Sequence, residues 1–83
     1  MLKIKDEIDL KELEKYGYMS WEKEEAEVKY FKLIPINGLL IEIYRNKNIG
    51  YQLPLFSTIN EKDIKIETFV VDLIQAGLVE KMW

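Results

Sequence analysis

The chain has 83 residues, enough for one domain with a small core, and its 48% hydrophobic and 33% charged residues argue against disorder. The 15 acidic residues outnumber 12 basic ones, Arg45 is the sole arginine, and the net charge of -3 disfavours general affinity for nucleic-acid phosphates. Without cysteine or histidine the chain has no disulfide and no thiolate chemistry, and an acid-base site would have to be assembled from carboxylates, lysines and tyrosines.

The first residues, Met1-Leu2-Lys3-Ile4-Lys5-Asp6-Glu7, alternate charge with apolar side chains. They lack the apolar stretch of a signal peptide, and no run approaches the length of a membrane span, so a cytoplasmic location is expected. Asp9 then reads as an N-cap, with Glu12 placed to complete a capping box and Ile8 to staple Leu13. Leu10, Leu13 and Tyr16 continue one face, and Gly17 can take the positive φ that ends a helix. The first helix is predicted over residues 9–16.

The next segment is strongly acidic, with Glu22, Glu24, Glu25 and Glu27 relieved only by Lys23. It precedes a strand whose Ala26, Val28 and Tyr30 share one parity while Phe31 and Leu33 take the other. That change of parity signals either a β-bulge or a strand covered on both faces. Asn37-Gly38 reads as a type I′ hairpin turn, which needs positive φ at both central residues. Leu39, Ile41 and Ile43 alternate with Leu40, Glu42 and Tyr44 in a second strand. A polar turn, Arg45-Asn46-Lys47-Asn48, leads to a third through Ile49, Tyr51, Leu53 and Leu55, where Pro54 favours an edge. Arg45 reads as a solvated turn charge. The three strands form an antiparallel meander over residues 26–56.

Asn60 is the second N-cap, with Glu61 and Asp63 in the first turn and Ile59 placed to staple Ile64. Ile66, Phe69, Val70, Leu73 and Ile74 define the face of a helix predicted over residues 60–76, and Gly77 ends it. Val79 to Trp83 add a short terminal strand or cover the core, with Trp83 expected as a lid. The whole is a single α+β domain of order α-β-β-β-α over residues 1–83, both helices packed on one face of the three-stranded sheet.

The acidic run lacks the ligand spacing and turn glycine of an EF-hand, so neither metal nor cofactor is expected. It reads as a solvated face that discourages edge pairing, or as a surface that steers a basic partner or imitates phosphates. Leu40 and Tyr44, opposite in parity to the core residues of their strand, either combine with Phe31 or Tyr30 into an apolar patch on the outer sheet face or stand scattered on a polar one. A second copy of the chain or another protein would cover such a patch.

Two resemblances bear on function. The α-β-β-β-α order resembles that of double-stranded-RNA-binding domains. Those carry a lysine cluster at the start of the second helix, however, where this chain has the nearly neutral Asn60-Glu61-Lys62-Asp63-Ile64-Lys65. The terminal segments Ile8-Asp9-Leu10-Lys11-Glu12-Leu13-Glu14-Lys15-Tyr16-Gly17-Tyr18 and Val71-Asp72-Leu73-Ile74-Gln75-Ala76-Gly77-Leu78-Val79-Glu80-Lys81 resemble the ends of small uncharacterised phage and prophage proteins of low-GC Gram-positive bacteria. That likeness implies a mobile-element accessory protein, a group that includes anti-CRISPR and other host inhibitors, and carries over no functional residue. The expected function is a non-enzymatic protein-interaction module, with Glu22, Glu24, Glu25, Glu27, Leu40 and Tyr44 as contacts. Nucleic-acid binding is the alternative.

Overall fold

Alternation at the two ends of the chain builds a strand pair that the charge pattern conceals. In the computed structural model, which describes residues 1–55 and 59–81, β1 (Leu2–Ile4) pairs antiparallel with β6 (Val79–Lys81), Lys3 standing opposite Glu80. Leu2 and Ile4 enter the core while Lys3 turns outward to an ion pair with Asp6 at 2.7 Å. That is the period of two expected of a half-buried strand.

The central strands follow the predicted meander with one addition, but the third ends at Gln52, so Leu53 and Leu55, expected to continue it, lie beyond the strand. β2 (Met19–Ser20), β3 (Val28–Ile34), β4 (Leu39–Tyr44) and β5 (Ile49–Gln52) form an antiparallel sheet in chain order. The sheet therefore has four strands, and the expected α-β-β-β-α order does not hold. A register shift between Val28 and Tyr30 places a bulge at Lys29, which accounts for the change of parity. Beyond it Tyr30, Lys32 and Ile34 lie opposite Ile43, Ile41 and Leu39 on one face, and Phe31 and Leu33 lie opposite Glu42 and Leu40 on the other.

Both hairpins use wider turns than a two-residue type I′. Ile34 pairs with Leu39, leaving a four-residue loop in which Gly38 alone has positive φ, at 74°, and Asn37 Oδ1 accepts from the Leu39 N–H at 2.9 Å. In the second hairpin Lys47 takes φ 74°. Its ammonium donates to the carbonyls of Asp6 at 2.6 Å and Ile8 at 2.7 Å, and its own carbonyl accepts from Ile4 N–H at 2.8 Å. These bonds tie the terminal ribbon to the sheet.

Helical structure is sparser than expected. The first helix is a 3₁₀ segment, Leu10–Tyr16, capped by Asp9, whose carboxylate accepts from Lys11 N–H at 3.0 Å. Glu12 does not close the capping box but pairs with Lys15 at 2.9 Å. The predicted helix over 60–76 is divided into 3₁₀ turns at Glu61–Asp63 and Ile66–Phe69 followed by α1 (Val71–Gln75). Ile64 and Lys65 are extended between the turns, and the Thr68 hydroxyl bonds the Lys65 carbonyl. β-Branched residues at 64, 66, 68, 70 and 71 weaken a continuous helix, and of these five only Val70 is fully buried.

Both terminating glycines act as expected. Gly17 and Gly77 take φ of 86° and 76°. The N–H of each glycine and of its follower return to the preceding turn, Tyr18 to Leu13 at 3.2 Å and Leu78 to Leu73 at 3.1 Å, closing a Schellman motif at each end. Leu13 and Leu73, which accept these bonds, are fully buried against Leu39, Ile41 and Ile43. The helical segments thus converge on one face of the sheet, leaving the other to solvent. Phe56 at the meander's end and the Trp83 lid lie outside the described residues.

Candidate binding face

The uncovered sheet face is built by register. Met19 stands opposite Phe31, Phe31 opposite Glu42, Leu33 opposite Leu40, and Val28 opposite Tyr44, so their side chains share the face away from the core. Trp21 follows Met19 at strand period and meets Phe31 edge to face, with ring centroids 5.8 Å apart and planes at 76°. Trp21, Ala26, Val28, Phe31 and Leu40 line a groove of about 390 Å³, bordered by Glu27 and Glu42. Met19 and Leu33, 63% and 57% exposed, extend the apolar surface beyond it.

Leu40 lies in this groove as expected, but Tyr44 does not. Its ring turns toward Gly50, and its hydroxyl donates to Glu42 Oε1 at 3.4 Å. Burial raises the Tyr44 hydroxyl above its ordinary pKa, and the Glu42 carboxylate adds to the effect. Tyr44 lines a different depression with Met1, Leu2, Ile49 and Ile66. Between the two aromatic candidates for the patch, the bulge at Lys29 puts Phe31 outside and turns Tyr30 inward, where its hydroxyl bonds Glu14 Oε2 at 2.9 Å. Trp21, Ala26 and Val28 are the apolar contributors to the groove that the sequence reasoning missed. Counting the bulge as one extra residue would have brought Val28 and Phe31 onto one face.

The acidic segment forms a loop beside the groove, held by cations that bind its backbone. Lys29 Nζ donates to the carbonyls of Lys23 and Glu24, each at 3.1 Å. Arg45 reaches the carbonyls of Glu24 and Ala26 with its guanidinium, the latter at 3.3 Å, and its N–H donates to Glu27 O at 2.7 Å. Arg45, exposed in its turn as expected, is therefore a loop clamp as well. The ion pairs among the described residues involve none of Glu22, Glu24, Glu25 and Glu27, whose side chains are all exposed. Lys23 places its ammonium 5.9 Å from the centre of the Trp21 ring.

Among the described residues no group of three or more carboxylates is gathered to hold a metal ion, and no helix is long and apolar enough to cross a membrane. In comparisons with known proteins the chain matches no family model, no curated protein and no solved structure.

Proposed function

We propose that this chain is a non-enzymatic protein-binding module whose contact surface is the outer sheet face and the glutamate loop beside it. The observation that carries this reading is the groove of Trp21, Val28, Phe31 and Leu40, an apolar depression that the chain's own helical segments leave open. Interface cores combine aromatic and aliphatic anchors in desolvated pockets with a polar rim, and this face has both parts. The resemblance of the termini to phage and prophage proteins adds the narrower proposal that the partner is a host protein, which the module inhibits by occupying its surface.

The test is affinity capture from a bacterial lysate by wild type, Leu40→Lys and Ile36→Lys. Ile36 sits in the β3–β4 loop and is 91% exposed, so it controls for added charge away from the groove. A partner held by wild type and Ile36→Lys but lost from a folded Leu40→Lys supports the proposal. A partner retained equally by all three refutes this face as the contact.

A further inference from the structure

We infer that the groove receives a short segment of its partner carrying one bulky apolar side chain flanked by lysine or arginine; this rests on the binding-face reading above. The groove supplies the anchor site. Its volume of about 390 Å³ lies at the low end for ligand pockets, and its Trp21–Phe31 corner presents an aromatic wall to an inserted side chain. Beyond the anchor, the segment meets carboxylates.

The cations near this face, Lys23, Lys29 and Arg45, lie against the Trp21 ring and the loop backbone instead of pairing with carboxylates, and Glu22, Glu24, Glu25, Glu27 and Glu42 outnumber them, which leaves the rim negative. Lys29 and Arg45 bind loop carbonyls, while Lys32 is on the core face, donating to Tyr16 O at 2.9 Å and pairing with Asp72 at 3.4 Å. The carboxylates of Glu22, Glu24, Glu25, Glu27 and Glu42 take part in none of the ion pairs among the described residues. Basic flanks would complement them, speeding association and making it sensitive to salt. An arginine could also displace Lys23 from the face of Trp21.

The same charge argues against the other occupants. A two-fold contact between copies sets the patch against itself, so its excess of carboxylates over Lys23, Lys29 and Arg45 is doubled across the seam. Phosphate backbones meet the same repulsion.

The experiment is selection of random short peptides on the folded protein, followed by fluorescence anisotropy with the enriched peptides at low and high salt. Peptides with a central aromatic or leucine between basic residues should emerge. Their binding should weaken about tenfold between low and high salt, perturb the amide resonances of Trp21, Val28, Phe31 and Leu40, and be lost in Leu40→Lys. Replacing Glu22, Glu24, Glu25 and Glu27 together by Gln tests the charge without touching the core, because all four are exposed; it should also weaken binding about tenfold.

Enrichment of neutral or acidic peptides, or equal binding by the Gln variant, overturns the cationic segment and leaves the face reading standing. A dimer by light scattering that Leu40→Lys dissociates assigns the groove to a second copy and likewise overturns it. If no enriched peptide depends on Leu40, the segment is refuted; Leu40-dependent capture of a partner would then preserve the face alone, and its failure would end both.

Discussion

The ring of Tyr44 stands so close over Gly50 that a Cβ on residue 50 would lie 2.7 Å from Tyr44 Cε2 and 3.0 Å from its hydroxyl oxygen. Gly50 leaves the space that lets the aromatic side chain lie across the sheet. Gly50→Ala should therefore cost about 1–3 kcal/mol in urea denaturation, from displaced aromatic packing. In a Tyr44→Ala background the same change should be near neutral, since alanine also restricts the unfolded chain. An equal cost in both backgrounds would show that the ring is not what excludes the methyl group.

Lys32 joins the two helical ends of the fold. It leaves β3 on the core face, donates to the Tyr16 carbonyl at 2.9 Å, approaches Asp72 at 3.4 Å and lies 5.3 Å from the centre of the Tyr18 ring. The carbonyl bond satisfies an acceptor at the end of the first 3₁₀ segment, whereas the ion pair is partly exposed and contributes less. Lys32→Met, which keeps the aliphatic stem, should lower stability by about 1–2 kcal/mol. Asp72→Asn should cost less than half of that, and the urea midpoints of the two variants decide the ranking.

Gly77 isolates backbone conformation from packing. Its φ is 76°, and a Cβ built there meets nothing within 4 Å. Gly77→Ala should cost about 1–2 kcal/mol through the left-handed backbone alone, with Gly77→Asn milder. For a domain of this size each kcal/mol lowers the melting temperature by about 4–8 °C. Calorimetry of the two variants should thus give unequal shifts despite equal freedom from clashes.

What was legible in the sequence was local. Asp9, Gly17, Asn60 and Gly77 act within a turn of their own positions, and each occupies the cap expected of it. The alternation of Leu39, Ile41 and Ile43 fixed the buried face of β4 because a strand has only two faces. β1 was missed because its partner β6 is at the opposite end of the chain, and isolated charge alternation resembles a solvated tail. The long second helix failed for a related reason. Ile64, Ile66, Phe69, Val70 and Leu73 reach the core from several short segments whose directions depend on the sheet beneath them, whereas Ile74, expected on the same face, is 41% exposed. At the binding face, parity placed Leu40 and Tyr44 together, but only three-dimensional packing reveals that Gly50 draws Tyr44 away from the groove.

Tyr18 is the core's unmatched polar group. The residue is 3% exposed, and its hydroxyl has no hydrogen-bond partner among the described residues. Burial raises its pKa far above the ordinary tyrosine value, with nearby Asp72 adding to the shift. Tyr30 is raised by burial and by its bond to Glu14, and Tyr44 by burial and Glu42. Unfolding returns each to about 10, so the unfolded chain loses these protons first. The stability associated with the neutral hydroxyls is then complete below about pH 10 and lost as pH rises through the higher folded values. Tyr18→Phe should stabilise the protein by about 1 kcal/mol at pH 7, by removing an unpaired hydroxyl, and should flatten the alkaline decline. Urea denaturation at pH 7 and pH 11 tests both effects; destabilisation at pH 7 with an unchanged alkaline slope would refute the assignment.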